Sequence, residues 1–151
     1  MRASTRWLID TSALRPHVPA FAEVLIPRIA AGLVSVCLVT ELEIGYSARS
    51  NSDFERISRD VLALLNRVIM PVAAEARARE VQRALIASGQ HRAVAIPDLI
   101  VAAVAEIEGL TVLHHDGDFD LIAAITGQPV EWIVRSPEPA GPDRPDGAGA
   151  A

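Results

Sequence analysis

The sequence predicts an α/β fold built on a central, mainly parallel sheet of four to five strands. Short apolar runs rich in β-branched residues alternate along the chain with longer segments of helical periodicity. This alternation is typical of parallel sheets whose strands are connected by helices. The chain has 151 residues, 50% of them hydrophobic and 22% charged, as in ordinary globular proteins. A chain of this size can bury a sizeable core within one domain.

Five segments are predicted strands because each is short, apolar and bounded by residues that favour turns. The first ends at Asp10, and the second is a valine-rich run that contains Cys37. The third precedes Pro71, and the fourth follows Gly109. The predicted strands are residues 7–10, 33–38, 68–70, 111–114 and 130–134.

Six segments are predicted helices from their apolar spacing and from the residues that start or stop them. Pro27 should kink or divide the first helix, and Thr40 should cap the second. Pro97 suits the start of the fifth helix, and Asp118 should cap the sixth. The predicted helices are residues 21–31, 41–49, 54–67, 73–88, 97–108 and 119–125.

One domain, residues 1–136, is expected to carry all of these elements. Residues 137–151 are mostly Pro, Gly, Ala and Asp, a composition that predicts a disordered tail. Cys37 is the only cysteine, so no intrachain disulfide can form and a reducing cytoplasm is expected. The apolar runs are far shorter than the roughly 18 residues that suggest a membrane span, so no membrane association is expected.

The charge pattern does not exclude an anionic substrate. All 14 basic residues are arginines, and the 19 acids give a net charge of −5. Without the tail and five candidate site carboxylates, 13 arginines face 11 acids, a net charge of +2. Arginine suits phosphate contacts because its planar fork matches phosphate oxygens. Coding bias towards arginine is the alternative, and it is favoured for most of these residues.

Five carboxylates lie where predicted strands end or predicted helices begin. In open parallel sheets ligands bind at the carboxyl ends of the strands, so these side chains should meet at one edge. Carboxylates held close together repel and need protons or cations to coexist. Hard cations such as Mg²⁺ take oxygen ligands. We therefore expect a metal site formed by Asp10, Glu41, Asp98, Asp116 and Asp118.

Each of these acids also has a purely structural explanation. Asp10 could form a turn with the residues that follow it, and Asp116 could do the same. Asp118 could also be a helix cap. Glu41 and Asp98 could be stabilised by the dipole of a first helical turn. The combination of all five at predicted strand ends favours the metal site over these separate explanations.

Four other residues near the predicted site are assigned structural roles. Glu43 should point away from Glu41 around its helix and be solvated, and Asp120 should be solvated too. His114 and His115 adjoin the acids, and packing or hydrogen bonding explains them better than metal coordination does.

Four motifs occur in order between Trp7 and Val134. They are Leu8-Ile9-Asp10-Thr11-Ser12-Ala13-Leu14, Thr40-Glu41-Leu42-x-x-Gly45, Pro97-Asp98-x-x-x-Ala102-Ala103 and Leu113-x-x-Asp116-x-Asp118-Phe119. Their order and spacing resemble the PIN-domain ribonucleases, and specifically the VapC-type toxins of bacterial toxin–antitoxin systems. Each motif is loose by itself, but four in order are fairly specific.

The resemblance implies a PIN-like α/β/α sandwich with a metal-dependent endoribonuclease site. It implies Asp10, Glu41, Asp98 and Asp116 as ligands of Mg²⁺ (or Mn²⁺), with Asp118 near or at a second metal position. Ser12 matches the hydroxyl-bearing position after the first Asp. One or two ions would bind the scissile phosphate and activate a water. One departure is His114, because the family often has Thr or Ser two residues before the third Asp.

The resemblance also implies partners. A VapC-type toxin of a type II system would cleave structured RNA such as tRNA or rRNA and would bind a small VapB-type antitoxin. A homodimer, or a heterotetramer or hetero-octamer with the antitoxin, is implied as well. Apolar stripes on residues 21–31 and 54–67 could supply the antitoxin groove, although core packing explains most of the residues in these stripes.

Two other classes of function fit parts of the pattern. One is a partner-binding module that keeps the PIN fold but has little catalysis, and retention of the full acidic set argues against it. The other is a receiver-type phosphoacceptor domain. Such domains rely on a lysine near the last strand, and this chain has no lysine.

Overall fold

The structure is a computed structural model that describes residues 3–135, and its centre is a five-stranded sheet. All neighbouring strands pair in parallel, in the order β3-β2-β1-β4-β5. The predicted parallel α/β fold is therefore confirmed, whereas the predicted tail, residues 137–151, lies outside the described residues. The strands are β1 (Trp7–Ile9), β2 (Val34–Cys37), β3 (Asn66–Val68), β4 (Thr111–His114) and β5 (Val130–Trp132).

Six α-helices and two short 3₁₀ turns lie within residues 3–135. None of these helices combines the length and the apolar character needed to cross a bilayer. The 3₁₀ turns are Thr11–Ala13 and Leu62–Leu64. The helices are α1 (Pro19–Ala30), α2 (Leu38–Ser47), α3 (Asn51–Asp60), α4 (Val72–Ala87), α5 (Ile96–Glu108) and α6 (Asp118–Thr126).

The sheet separates two apolar cores because successive side chains of a strand point to opposite faces. Leu8 packs with residues of α4, α5 and α6 on one face. Trp7 and Ile9 pack with residues of α1 on the other face. Helices therefore cover both faces of the sheet, which makes the fold an α/β/α sandwich.

Helix α2 begins three residues earlier than the sequence predicts. It starts at Leu38, so Thr40 is buried inside the helix instead of capping it. The Oγ1 of Thr40 donates a hydrogen bond of 3.2 Å to the carbonyl of Ile9. This bond fastens the first turn of α2 to the end of β1, next to Asp10.

The segment predicted as one helix over residues 54–67 is divided. Helix α3 ends at Asp60, the 3₁₀ turn follows, and β3 begins at Asn66 instead of residue 68. Apolar residues continue at roughly helical spacing through the turn, so periodicity alone could not detect the break. Pro27, in contrast, does not divide α1, which is continuous through it.

Candidate metal centre

Two neighbouring strands bring the first and third predicted aspartates to the same edge of the sheet. Strands β1 and β4 are parallel and in register, with Ile9 opposite Leu113. The backbone N–H of Asp10 extends the pairing by donating to the carbonyl of Leu113 over 2.9 Å. Asp10 therefore lies beside the chain that leads from β4 to Asp116.

Two helix N-termini bring the remaining aspartates to this edge. Asp98 lies in the first turn of α5 and is only 6% exposed. Asp118 is the first residue of α6, and the predicted cap is wrong because Gly117 holds the N-cap position. Carboxylate oxygens of Asp98, Asp116 and Asp118 all lie within 4.8 Å of one another. The partial positive charge of a helix N-terminus stabilises carboxylates at such positions.

Backbone N–H groups hold one oxygen of three of the carboxylates. Asp10 Oδ2 accepts from the N–H of Ser12 at 3.0 Å. Asp116 Oδ1 accepts from the N–H of Asp118 at 3.0 Å, and Asp118 Oδ2 accepts from Ala95 at 2.9 Å. These bonds fix each side chain and leave its other oxygen available.

The acidic cluster comprises Asp98, Asp116 and Asp118, together with Asp10, whose charge acts on Asp98. Two of its oxygens are buried and unsatisfied. Asp10 Oδ1 and Asp98 Oδ2 have no hydrogen-bond partner among residues 3–135. A buried carboxylate oxygen without a partner is costly unless a proton or a cation satisfies it. Both oxygens belong to acids predicted as metal ligands, so the donor set fits a hard divalent cation.

Glu43 lies on the side of α2 that faces Asp10, and the prediction that it is solvated is wrong. Thr40 and Ile44 form the buried line of the helix. Residues one apart are rotated by about 100°, so Glu41 and Glu43 lie on opposite sides of that line. Glu43 Oε1 is buried without a partner among the residues described. Burial, and then the charge of Asp10, raise the pKa of Glu43.

Glu41 lies in a different place from the other four predicted ligands. It forms a two-point ion pair with Arg67, with Nε–Oε1 at 2.9 Å and Nη2–Oε2 at 3.1 Å. The pair lines a cleft of about 410 Å³ between α2 and α3, and the cleft includes none of the four aspartates. Glu41 and Glu43 are two residues apart and so about 200° apart around the helix, which means that placing Glu41 in the site from the sequence excluded Glu43.

Ser12 connects the two strand ends that carry the site. Its Oγ accepts a hydrogen bond of 2.9 Å from the backbone N–H of His115. The same residue donates its own N–H to Asp10. A hydroxyl here therefore ties the turn after β1 to the loop after β4.

The two histidines after β4 pack against aromatic rings. His114 is fully buried between Phe119 and Trp132, with ring centroids 5.1 and 5.0 Å away. The ring of His115 contacts Phe21 and Trp132 at 5.1 and 5.3 Å. Packing therefore explains both rings, in agreement with the interpretation from the sequence.

Charge repulsion in the cluster is strongest at Asp98. Burial, the charge of Asp10 and the nearby carboxyl group of Asp118 together raise the pKa of Asp98 to about 8. Without a cation, the cluster therefore retains a proton at neutral pH. A bound cation would displace that proton because it satisfies the same oxygens.

Asp98 should make the stability of the ion-free protein fall as pH rises. Its pKa is raised from the usual 3.8 of an aspartate to about 8, so the folded state holds a proton that the unfolded state has released. The resulting stabilisation is complete below about pH 4 and is lost as pH rises through about 8. Urea unfolding in EDTA should show lower stability at about pH 9 than at about pH 6. If the stability of Asp98→Asn fell with pH as steeply as that of the wild type, this assignment would be contradicted.

Comparison with known proteins agrees with this geometry. The PIN domain family model matches residues 7–125. The chain is 49% identical over 135 residues to Ribonuclease VapC21 of Mycobacterium tuberculosis, which covers 87% of this chain and 96% of that protein. It is 43% identical over 130 residues to Ribonuclease VapC51 of the same organism, with 85% and 93% covered.

Solved structures share the fold at low sequence identity. The DNA-bound VapBC complex from Salmonella typhimurium matches with a TM-score of 0.69 and 18% identity over 85% of this chain and 98% of the matched chain. FitAcB from Neisseria gonorrhoeae matches with a TM-score of 0.66 and 19% identity over 84% and 97%. The predicted PIN-like sandwich is thus confirmed. The chain belongs to the PIN-domain family, and the VapC ribonucleases are its relatives within that family.

Proposed function

We propose that this protein is a Mg²⁺-dependent endoribonuclease and the toxin of a type II toxin–antitoxin pair. The observation that carries the proposal is the buried acidic cluster, in which Asp10 and Asp98 each keep an oxygen without a partner among residues 3–135. Relatives at up to 49% identity are named ribonucleases, which supports RNA as the substrate. Structured RNA such as tRNA or rRNA is the proposed target.

The chain's own residues supply the ligands and their orientation. Asp98 and Asp116, whose oxygens lie together, would hold the ion with Asp10, whose charge acts on Asp98. Asp118 would complete the set through the oxygen that Ala95 does not occupy. When bound, Mg²⁺ or Mn²⁺ offsets phosphate charge and lowers the pKa of a coordinated water. The site therefore needs no side chain as nucleophile.

We propose Glu43, in place of Glu41, as the helix-borne carboxylate of this site. Glu43 has a buried, unsatisfied oxygen and interacts with the charge of Asp10. Both oxygens of Glu41 are already bound by Arg67. Metal binding by Glu41 would require this ion pair to break.

We infer that the VapB-type partner occupies the cleft between α2 and α3. Leu38 and Leu42 are 50% and 62% exposed, and Phe54 lines the same cleft. Exposed apolar side chains around a groove are typical of a helix-binding surface. The stripe on α1 is less suitable because Phe21 and Leu25 are buried in the core. A homodimer or a larger assembly with the antitoxin, and a cytoplasmic location, complete the proposal.

Asp98→Asn should abolish cleavage of structured RNA in Mg²⁺. The amide removes a negative ligand from the most buried part of the cluster, and losses of about 10²-fold or more are expected when a metal ligand is removed. The measurement is the initial cleavage rate on a folded tRNA. Glu108→Gln, at the exposed end of the same helix, is the matched control and should cleave normally. Cleavage by the wild type that persists in EDTA would contradict the proposed role of the metal ion.

A pair of substitutions on α2 tests the two glutamates against each other. Glu43→Gln should lower the cleavage rate by about tenfold or more and weaken Mn²⁺ binding. Glu41→Gln should leave both nearly unchanged, because it removes only an ion pair with Arg67, whose side chain is 76% exposed. The reverse ranking would restore Glu41 to the site.

Leu42→Arg should prevent complex formation with the product of the neighbouring reading frame. The substitution places a charge in the apolar cleft. Leu42 is not a member of the acidic cluster, so the cluster itself is left intact. Co-purification of the two chains is the measurement, and RNA cleavage by Leu42→Arg alone is the internal check. Ile26→Arg, on exposed α1 surface, is the control. Unimpaired co-purification of Leu42→Arg would remove the cleft from the interface.

A further inference from the structure

His114 is a buried polar residue in contact with the backbone of a proposed ligand. It ends β4, has no exposed surface and precedes Asp116 by two residues. The backbone N–H of Asp116 donates a hydrogen bond of 3.2 Å to His114 Nδ1. A ring nitrogen that accepts a hydrogen bond carries no proton, so the proton of the neutral ring must be on Nε2.

Aromatic packing surrounds the rest of the ring. Nε2 is buried with no hydrogen-bond partner among residues 3–135. Phe119 and Trp132 pack against the ring with tilted geometry. The only hydrogen bond of the side chain within the described residues is therefore the one to Asp116.

Side chains hold three backbone N–H groups of the loop after β4. Ser12 Oγ accepts from His115, and His114 Nδ1 accepts from Asp116. Asp116 Oδ1 accepts from Asp118. The backbone N–H of His115 is thus held by Ser12 and that of Asp116 by His114, so the two peptide groups that lead to the Asp116 carboxylate are both held.

We propose that His114 is a positioning residue that, as the Nε2–H tautomer, holds the Asp116 peptide and so keeps the Asp116 carboxylate in the metal centre. A short hydroxyl side chain could make the same bond to the N–H two residues ahead. His114 makes it while filling the space between Phe119 and Trp132. The consequence for ion binding rests on the proposed function, whereas the tautomer and the hydrogen bond do not.

Two substitutions separate the hydrogen bond from the packing. His114→Asn keeps an acceptor bonded to Cγ, as Nδ1 is, whereas His114→Leu keeps apolar volume and removes the acceptor. His115→Leu is the control, because that ring packs similarly but its Nδ1 has no partner in the described part of the chain. If His114→Leu does not fold, His114→Gln replaces it. The side-chain oxygen of Gln is one bond further from the backbone than Nδ1 of His, so it should not reach the Asp116 N–H in the same way.

The measurements are Mn²⁺ titration calorimetry and ¹⁵N NMR of the full-length protein. We expect His114→Leu to weaken Mn²⁺ binding by about tenfold, and His114→Asn and His115→Leu to bind as the wild type does. NMR of the ion-free wild type should show a proton on Nε2 and a coupling between Asp116 N and His114 Nδ1. Amide exchange at Asp116 should be faster in His114→Leu.

Three results would overturn the proposal. They are a proton on Nδ1, equal weakening of Mn²⁺ binding by Asn and Leu, or unchanged amide exchange at Asp116 in His114→Leu. Failure of the wild type to bind Mn²⁺ would instead contradict the proposed function. In that case the tautomer and the Asp116 exchange rate still decide what His114 does.

Discussion

Repulsion among carboxylates that are packed at one edge of the sheet dominates the chemistry of this molecule. Asp10 and Asp98 are 3% and 6% exposed, and each has an oxygen without a partner among residues 3–135. Two such charges cannot be buried together without a proton or a cation between them. Burial and the neighbouring carboxylates raise the pKa of Asp98, so in the ion-free protein a proton held within the cluster meets this constraint, and a divalent cation would meet it without the proton. Affinity for the cation and instability of the ion-free cluster therefore have the same physical origin.

The scaffold sets this arrangement through elements that carry no charge. Parallel pairing of β1 with β4 places two strand ends side by side. Helix α5 is buried over residues 101–105. Part of its first turn is buried as well, and this places Asp98 inside the protein. Hydrogen bonds from Thr40 to Ile9 and from His115 to Ser12 then fasten α2 and the loop after β4 to the end of β1. The rigidity of the acidic cluster thus derives from apolar packing and from backbone bonds around it.

The sequence predicted the parts of this arrangement that depend on local pattern. The alternation of apolar runs gave the parallel sheet, and Asp10 and Asp98 were found because each adjoins a strongly apolar segment. Glu43 was missed because Glu41 was placed in the site, and a residue two positions further along a helix lies about 200° around it, on the opposite side. The partnership of Glu41 with Arg67 joins residues from different elements, so spacing could not predict it. The bond from Asp116 to His114 depends on which ring nitrogen carries the proton, and this follows only from three-dimensional packing.

The most direct test of this account is anomalous diffraction from crystals soaked in Mn²⁺. We predict a peak bounded by the carboxylates of Asp10, Asp98 and Asp116, with Glu43 on the same side of the peak and Glu41 still paired with Arg67. A second peak near Asp118 would extend the account to two ions. No peak at this edge of the sheet in saturating Mn²⁺, or a peak held by Glu41 in place of Arg67, would contradict it.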